Sequence, residues 1–167
     1  MAGFNVELSG PNPANAATDN TGQFAFNNLN SGTWTVRARK SGGDNGAISA
    51  FDAARVLLNP TQPLNLLQRL ACDVNADGSL DVADAVLIVQ RRVGLIPQFP
   101  VAAKCTNSDW LVLPVPTPAA GQSTTSPDPT TMPCTEGAIR FNPLASQARG
   151  QNFLAVLYGD CSGSWKP

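Results

Sequence analysis

Hydrophobic and polar positions change rhythm twice along the chain. Through the first forty residues they alternate: Phe4, Val6 and Leu8 in "FNVEL", Phe24 and Phe26 in "QFAFN", and Trp34, Val36 and Ala38 in "TWTVRAR". Successive side chains of a strand point to opposite faces, so this spacing predicts short strands with one buried face each, separated by the turns "TDNTG" and "NLNSG". From residue 41 to 97 the spacing lengthens to threes and fours. "NGAISAFDAARVLLN" and "DGSLDVADAVLIVQR" each predict a helix, the first opened by a capping box of Ser49 and Asp52, the second ended by Arg91, Arg92 and Gly94. In the second, Val82, Ala85, Val86, Val89 and Val93 share a stripe that Leu87 and Ile88 widen, so that helix is expected to be buried on more than one side. "PLNLLQRLA" predicts a linking helix between them. Strand candidates return in "DWLVLP", "GAIRFNPL" and "NFLAVLYG". The interrupting segment from Pro114 to Pro133 has thirteen Pro, Ser or Thr in twenty residues and predicts an exposed loop or a carrier of O-linked sugars, not a folded element.

The order of elements predicts an α+β chain in three regions. A partial β-sandwich would span 1–40, a pair of loop-helix units 41–97, and a C-terminal β segment 98–167. With 43% apolar residues in 167, a packed core is expected. No run of eighteen apolar residues is present, so no membrane span is expected, and the polar start "MAGFNVELSGPNP" is not a signal peptide; any secretion signal is expected to lie outside this sequence. The net charge is −1 and Lys and Arg are scattered, which argues against nucleic acid and against a polybasic membrane anchor. Catalysis finds no support: there is no His, no Ser-x-x-Lys, no Gly-x-Ser-x-Gly and no phosphate-cradling glycine loop. A carboxylate pair could hydrolyse a glycoside, but most of the acids are claimed by one short stretch.

That stretch is "DVNADGSLDVAD". Four of the chain's twelve acids fall within it, a crowding that is costly unless a cation sits among them. Oxygen donors stand at the first, third, fifth, seventh, ninth and twelfth positions: Asp73, Asn75, Asp77, the Ser79 carbonyl, Asp81 and Asp84, with Gly78 sixth. This is the spacing of an EF-hand calcium loop, and the all-oxygen set suits calcium while excluding zinc and copper. Asp84 is one methylene shorter than the usual twelfth-position Glu. The competing reading is an Asx-rich turn with Asp81 capping the next helix.

The two loop-helix units align with an offset of 32 residues, pairing Gly46 with Gly78, Ile48 with Leu80, Asp52 with Asp84 and Ala53 with Ala85. Together they resemble the dockerin type I module, whose calcium loops carry Asp at the twelfth position and one helix each. The second unit matches that pattern ligand by ligand. The first departs from it: Ser41, Gly43 and Asn45 hold its first, third and fifth positions, so a second calcium would rest on Asp52, Asn45 and the off-register Asp44. In dockerins, cohesin recognition uses polar residues at the tenth and eleventh loop positions and the helix that follows. Here these are Val82 and Ala83, and Ala50 and Phe51, which suit packing within a protein or an assembly better than a cohesin-type surface.

The N-terminal region resembles the carboxypeptidase-regulatory or Cna-B-like β-sandwich through "TDNTGQFAF" and "LNSGTWTVRA". That resemblance implies a further strand ahead of "AGFNVEL", supplied by sequence outside this chain, by its own C-terminal part or by a neighbouring subunit. The ending "NFLAVLYGDCSGSW" is similar to the Gly-Asp-x-x-Gly-x-Trp segment that follows dockerin-like repeats in multidomain bacterial surface proteins. Asp160 within it reads as a turn aspartate or as a further metal ligand. Cys72, Cys105, Cys134 and Cys161 form no CxxC pair and allow three connectivities. Two disulfides and a weak calcium site both point outside the cell, and a Cys105–Cys134 bridge would tether the Pro/Thr-rich loop. The expectation is a calcium-stabilised extracellular structural subunit that assembles with itself into a filament or matrix, with strand donation completing the first sandwich. The alternative is a dockerin-type module for a cohesin-like partner.

Overall fold

The computed structural model describes residues 1–128 and 134–166, so residues 129–133 of the Pro/Thr-rich segment lie outside the described residues. Seven strands run in chain order: β1 (Asn5–Ser9), β2 (Ala14–Ala17), β3 (Gly32–Arg39), β4 (Trp110–Pro114), β5 (Gln122–Thr125), β6 (Ala138–Leu144) and β7 (Phe153–Leu157). Between β3 and β4 lie α1 (Ala50–Leu57), α2 (Leu66–Cys72), α3 (Val82–Arg92) and a π-helical turn, Ala102–Thr106. The chain is α+β, with an antiparallel five-stranded sheet in the order β2-β1-β3-β6-β5 and a two-stranded sheet of β4 and β7. Among the described residues no helix is long and apolar enough to cross a membrane.

The chain divides into two compact units. The first comprises Met1–Lys40, Val112–Ser126 and Glu136–Leu154; the second comprises Ser41–Leu111 and, among the described residues, 127–128, 134–135 and 155–166. The C-terminal third is therefore shared between both units.

In the first unit the period-two pattern becomes one buried sheet face. Val6 and Leu8 stand opposite Ala38 and Val36, and Trp34 and Val36 stand opposite Phe141 and Ile139; all are buried. The Pro/Thr-rich segment corrects one expectation, because Gln122–Thr125 forms edge strand β5 against β6. An edge strand needs a backbone ladder and one neighbour, not apolar side chains, so β5 pairs although its residues are largely exposed. "QFAFN" is the opposite case. It forms no strand, since the sheet order gives it no neighbour, and Phe24 and Phe26 instead meet edge to face at 6.1 Å. With Leu8, Trp34, Val36 and Phe141 they line an open groove of about 860 Å³.

In the second unit α1 packs on α3 through residues related by the 32-residue offset. Asp52, Ala53 and Val56 are buried on α1; Asp84, Ala85 and Ile88 are buried on α3. Here the structure overturns the expected burial of the valine stripe. Val82, Val86, Val89 and Val93 are 64%, 48%, 43% and 63% exposed and line the outer side of α3. At 100° per residue the helix cannot turn both sets inward, and the Asp84 carboxylate decides between them. Its Oδ1 accepts hydrogen bonds from the Val74 and Asn75 amides and its Oδ2 from that of Asp81, so Asp84 faces the loop and the valines face away.

Both cysteine pairs are disulfides. Cys72 at the end of α2 joins Cys161, and Cys105 joins Cys134.

Candidate metal centre

The loop 73–84 begins where α2 ends and stops inside the first turn of α3. Asp73 is the C-cap of α2, and Asp81 is the N-cap of α3, its carboxylate accepting from the Ala83 amide at 2.7 Å. The capping role therefore coexists with the ligand spacing. Gly78 at the sixth position has φ 85°, a left-handed conformation that costs glycine nothing and permits the sharp turn such a loop needs.

Within the loop the acidic side chains bond mainly to the loop's own amides. Asp73 accepts from the Asp77 and Gly78 amides at 3.1 and 2.9 Å. Asn75 accepts from the Asp77 amide and donates to the Asp77 carboxylate at 2.7 Å, and Asp77 accepts from the Ser79 amide. Each amide turned toward a carboxylate lowers the cost of packing these acids together. Among the described residues no three acidic, His or Cys side chains converge into a ready metal cage.

The electrostatics still show two strained positions. Burial raises the pKa of Asp84 from 3.8 to about 6, with the charge of Asp73 adding to the effect against three amide bonds that oppose it. Burial likewise raises Asp73, and the charge of Asp77 adds to it. A hard divalent cation would relieve both effects by neutralising carboxylates that the loop has withdrawn from water. The donor set is all oxygen and fits calcium; Asp73, Asn75, Asp77, the Ser79 carbonyl, Asp81 and Asp84 are the residues that would hold it. Its contribution would be charge neutralisation and rigidity.

No protein-family model, curated protein or solved structure matches this chain. The reading therefore rests on the spacing of the loop's oxygen donors and on the burial of Asp73 and Asp84.

The other proposed ligands are committed elsewhere. Asp44 pairs with Arg91 at 3.2 Å and accepts from the Gly46 amide. Asp52 is fully buried and accepts from the Ser49 amide, the Ser49 hydroxyl and the Ser162 amide. Asn45 donates to the Lys166 carbonyl. Asp160 closes a turn, accepting from the Ser162 and Ser164 hydroxyls and the Ser164 and Trp165 amides. The contribution of Ser162, Ser164 and Trp165 to the first loop was missed in the sequence; its one signal was the Gly-Asp-x-x-Gly-x-Trp segment itself.

The shifts at Asp73 and Asp84 give a prediction for the calcium-free chain. A carboxyl whose folded pKa lies above its unfolded value binds its proton more tightly when folded, so its contribution to stability is present at low pH and lost as pH rises through the folded value. For Asp84 that window runs from about 4 to about 6. The calcium-free chain is expected to unfold at a higher urea concentration near pH 5 than near pH 7, and Asp84→Asn is expected to flatten the difference. Equal midpoints for the unsubstituted chain would contradict the assignment.

Proposed function

We propose that the chain is a non-enzymatic, calcium-stabilised structural subunit of an extracellular assembly, associating with further copies of itself. The observation that carries this reading is the outward valine stripe of α3, held in that orientation by the same Asp84 that would ligate calcium. Ion and contact surface are thus coupled: calcium on Asp84 would fix the rotation of α3 and keep four valines presented to a neighbour. Single exposed apolar residues are ordinary, whereas a continuous stripe is a contact surface. Leu95 beyond the helix and Phe51 on α1 are exposed as well, at 73% and 60%. One bound divalent ion would change the net charge from −1 to +1, either of which leaves little repulsion between copies.

The rest of the reading is consistent with this. Two disulfides suit an oxidising compartment. The five-stranded sheet is compatible with half of an immunoglobulin- or prealbumin-like sandwich, and the groove beside Phe24 and Trp34 would accept an extended apolar segment from a neighbouring subunit. The dockerin-like and Cna-B-like motifs in the sequence are in keeping with a bacterial surface protein.

A second reading is favoured by one observation. The exposed face of α3 begins at Val82, the tenth loop position, which is where dockerins meet cohesins. A cohesin-like protein with an apolar recognition surface would fit there.

One experiment separates the two. Light scattering and negative-stain microscopy in millimolar calcium are expected to show ordered polymers that loosen on chelation. Val86→Glu with Val89→Glu is expected to disperse them while shifting stability by no more than about 0.5 kcal/mol per site, since both side chains are on the surface. A monomer under every condition would overturn self-assembly and leave the cohesin-like partner as the reading to pursue.

A further inference from the structure

The first loop shares two landmarks with the second but not its chemistry. Gly46 and Gly78 occupy the same sixth position with φ of 72° and 85°, and Asp52 and Asp84 are both fully buried at the twelfth. Four groups of the first loop, however, are bonded to one distant segment, and two of them, on Ala47 and Asp52, are oxygens at positions that would face an ion. Asn45 at the fifth position donates through Nδ2 to the Lys166 carbonyl at 3.1 Å. The Ala47 carbonyl, at the seventh, accepts from the Ser164 hydroxyl at 3.3 Å. The Asp52 carboxylate, at the twelfth, accepts from the Ser162 amide at 2.8 Å. The Gly43 carbonyl, at the third, accepts from the indole Nε1 of Trp165 at 2.8 Å.

We infer that the turn Asp160–Lys166 occupies the first loop in place of a metal ion, so that this loop is a clasp closed by the chain itself and takes no calcium. Three further features support the assignment. The acids are accommodated without a cation: Asp44 is paired with Arg91, and the single carboxylate at a ligand position, Asp52, accepts from three neutral donors. The inserted turn is pre-shaped, because Asp160 accepts from Ser162, Ser164 and Trp165 within it. It is also anchored at both ends, by the Cys72–Cys161 disulfide and by Trp165 packing edge to face on Trp110 at 4.8 Å. Amide and hydroxyl donors meet the Asp52 and Ala47 oxygens that a cation would otherwise satisfy, and the indole holds the Gly43 carbonyl beside them. This explains how a loop with Ser41 and Gly43 at ligand positions is held in place without an ion.

The test uses the full chain. Native mass spectrometry with calcium as the only added metal is expected to show one bound ion, lost in Asp77→Asn and retained in Asp52→Asn. Two ions, or loss of an ion in Asp52→Asn alone, would overturn the clasp. No ion at all would defeat the calcium reading of the second loop, and hydrogen exchange would then judge the clasp. Trp165→Ala is expected to speed amide exchange over residues 41–52 by roughly tenfold, the effect of losing the Gly43 hydrogen bond together with the packing on Trp110, and the milder Ser164→Ala less so. Unchanged exchange over 41–52 in both variants would overturn the inference whatever the metal count.

Discussion

Removing calcium from the chain is expected to lower its unfolding free energy by about 2.7 kcal/mol when the ambient ion stands near a hundred times the dissociation constant. The increment would arise because an ion held by the folded loop is not held by the unfolded chain. It is a substantial fraction of the margin on which a small domain rests. Asp77→Asn is the informative variant. Asp77 is exposed, does not orient α3, and as asparagine keeps an oxygen for the Ser79 amide, so the calcium-free fold should tolerate the change. Urea unfolding with and without chelator is expected to show a gap for the unsubstituted chain and none for Asp77→Asn. The same midpoint in all four conditions would remove calcium from the account.

Loss of the Cys72–Cys161 bridge should cost still more. The bonded residues are 89 apart in sequence, and the chain-entropy treatment assigns a loop of that length roughly 4.6 kcal/mol. Cys105 and Cys134 are 29 apart, which gives roughly 3.6 kcal/mol. Replacing each pair by alanine should therefore destabilise the chain in that order, with a difference of about 1 kcal/mol between the variants. The longer bridge has an added consequence, since Cys161 lies within the turn that fills the first loop. Removing it should also speed amide exchange over 41–52, an effect not expected on removing Cys105–Cys134. Calorimetry for the stabilities and exchange for the local effect would check both halves, and a reversed order would show that loop entropy does not govern these bridges.

Several features were readable from local spacing. The alternation around Val6, Leu8, Trp34 and Val36 became one sheet face, and the boxes at Ser49–Asp52 and Asp81–Asp84 cap their helices. "GAIRFNPL" and the two neighbouring apolar runs became β6, β4 and β7. Where expectation failed, the deciding partner was distant or was the backbone. "QFAFN" has the alternation of a strand but no neighbour, whereas "QSTT" lacks an apolar pattern and became β5 because β6 offered it a ladder. The α3 stripe misled for a related reason. Periodicity shows that Val82, Val86, Val89 and Val93 share a side, but it cannot show which side a buried carboxylate will turn inward.

The sequence by itself determined the twelve-residue loop from Asp73 to Asp84, because its donors lie within twelve residues of one another and interact through the local chain. It also determined the helix starts and the alternating strands, whose signals span a few residues. Only the tertiary structure decided the rotation of α3, the recruitment of β5, the pairing of the cysteines and the filling of the first loop. Each of these depends on which group satisfies a buried oxygen, an unpaired amide or a thiol. For Asp52 that group is the Ser162 amide, 110 residues away, and such a contact exists only once the chain has folded.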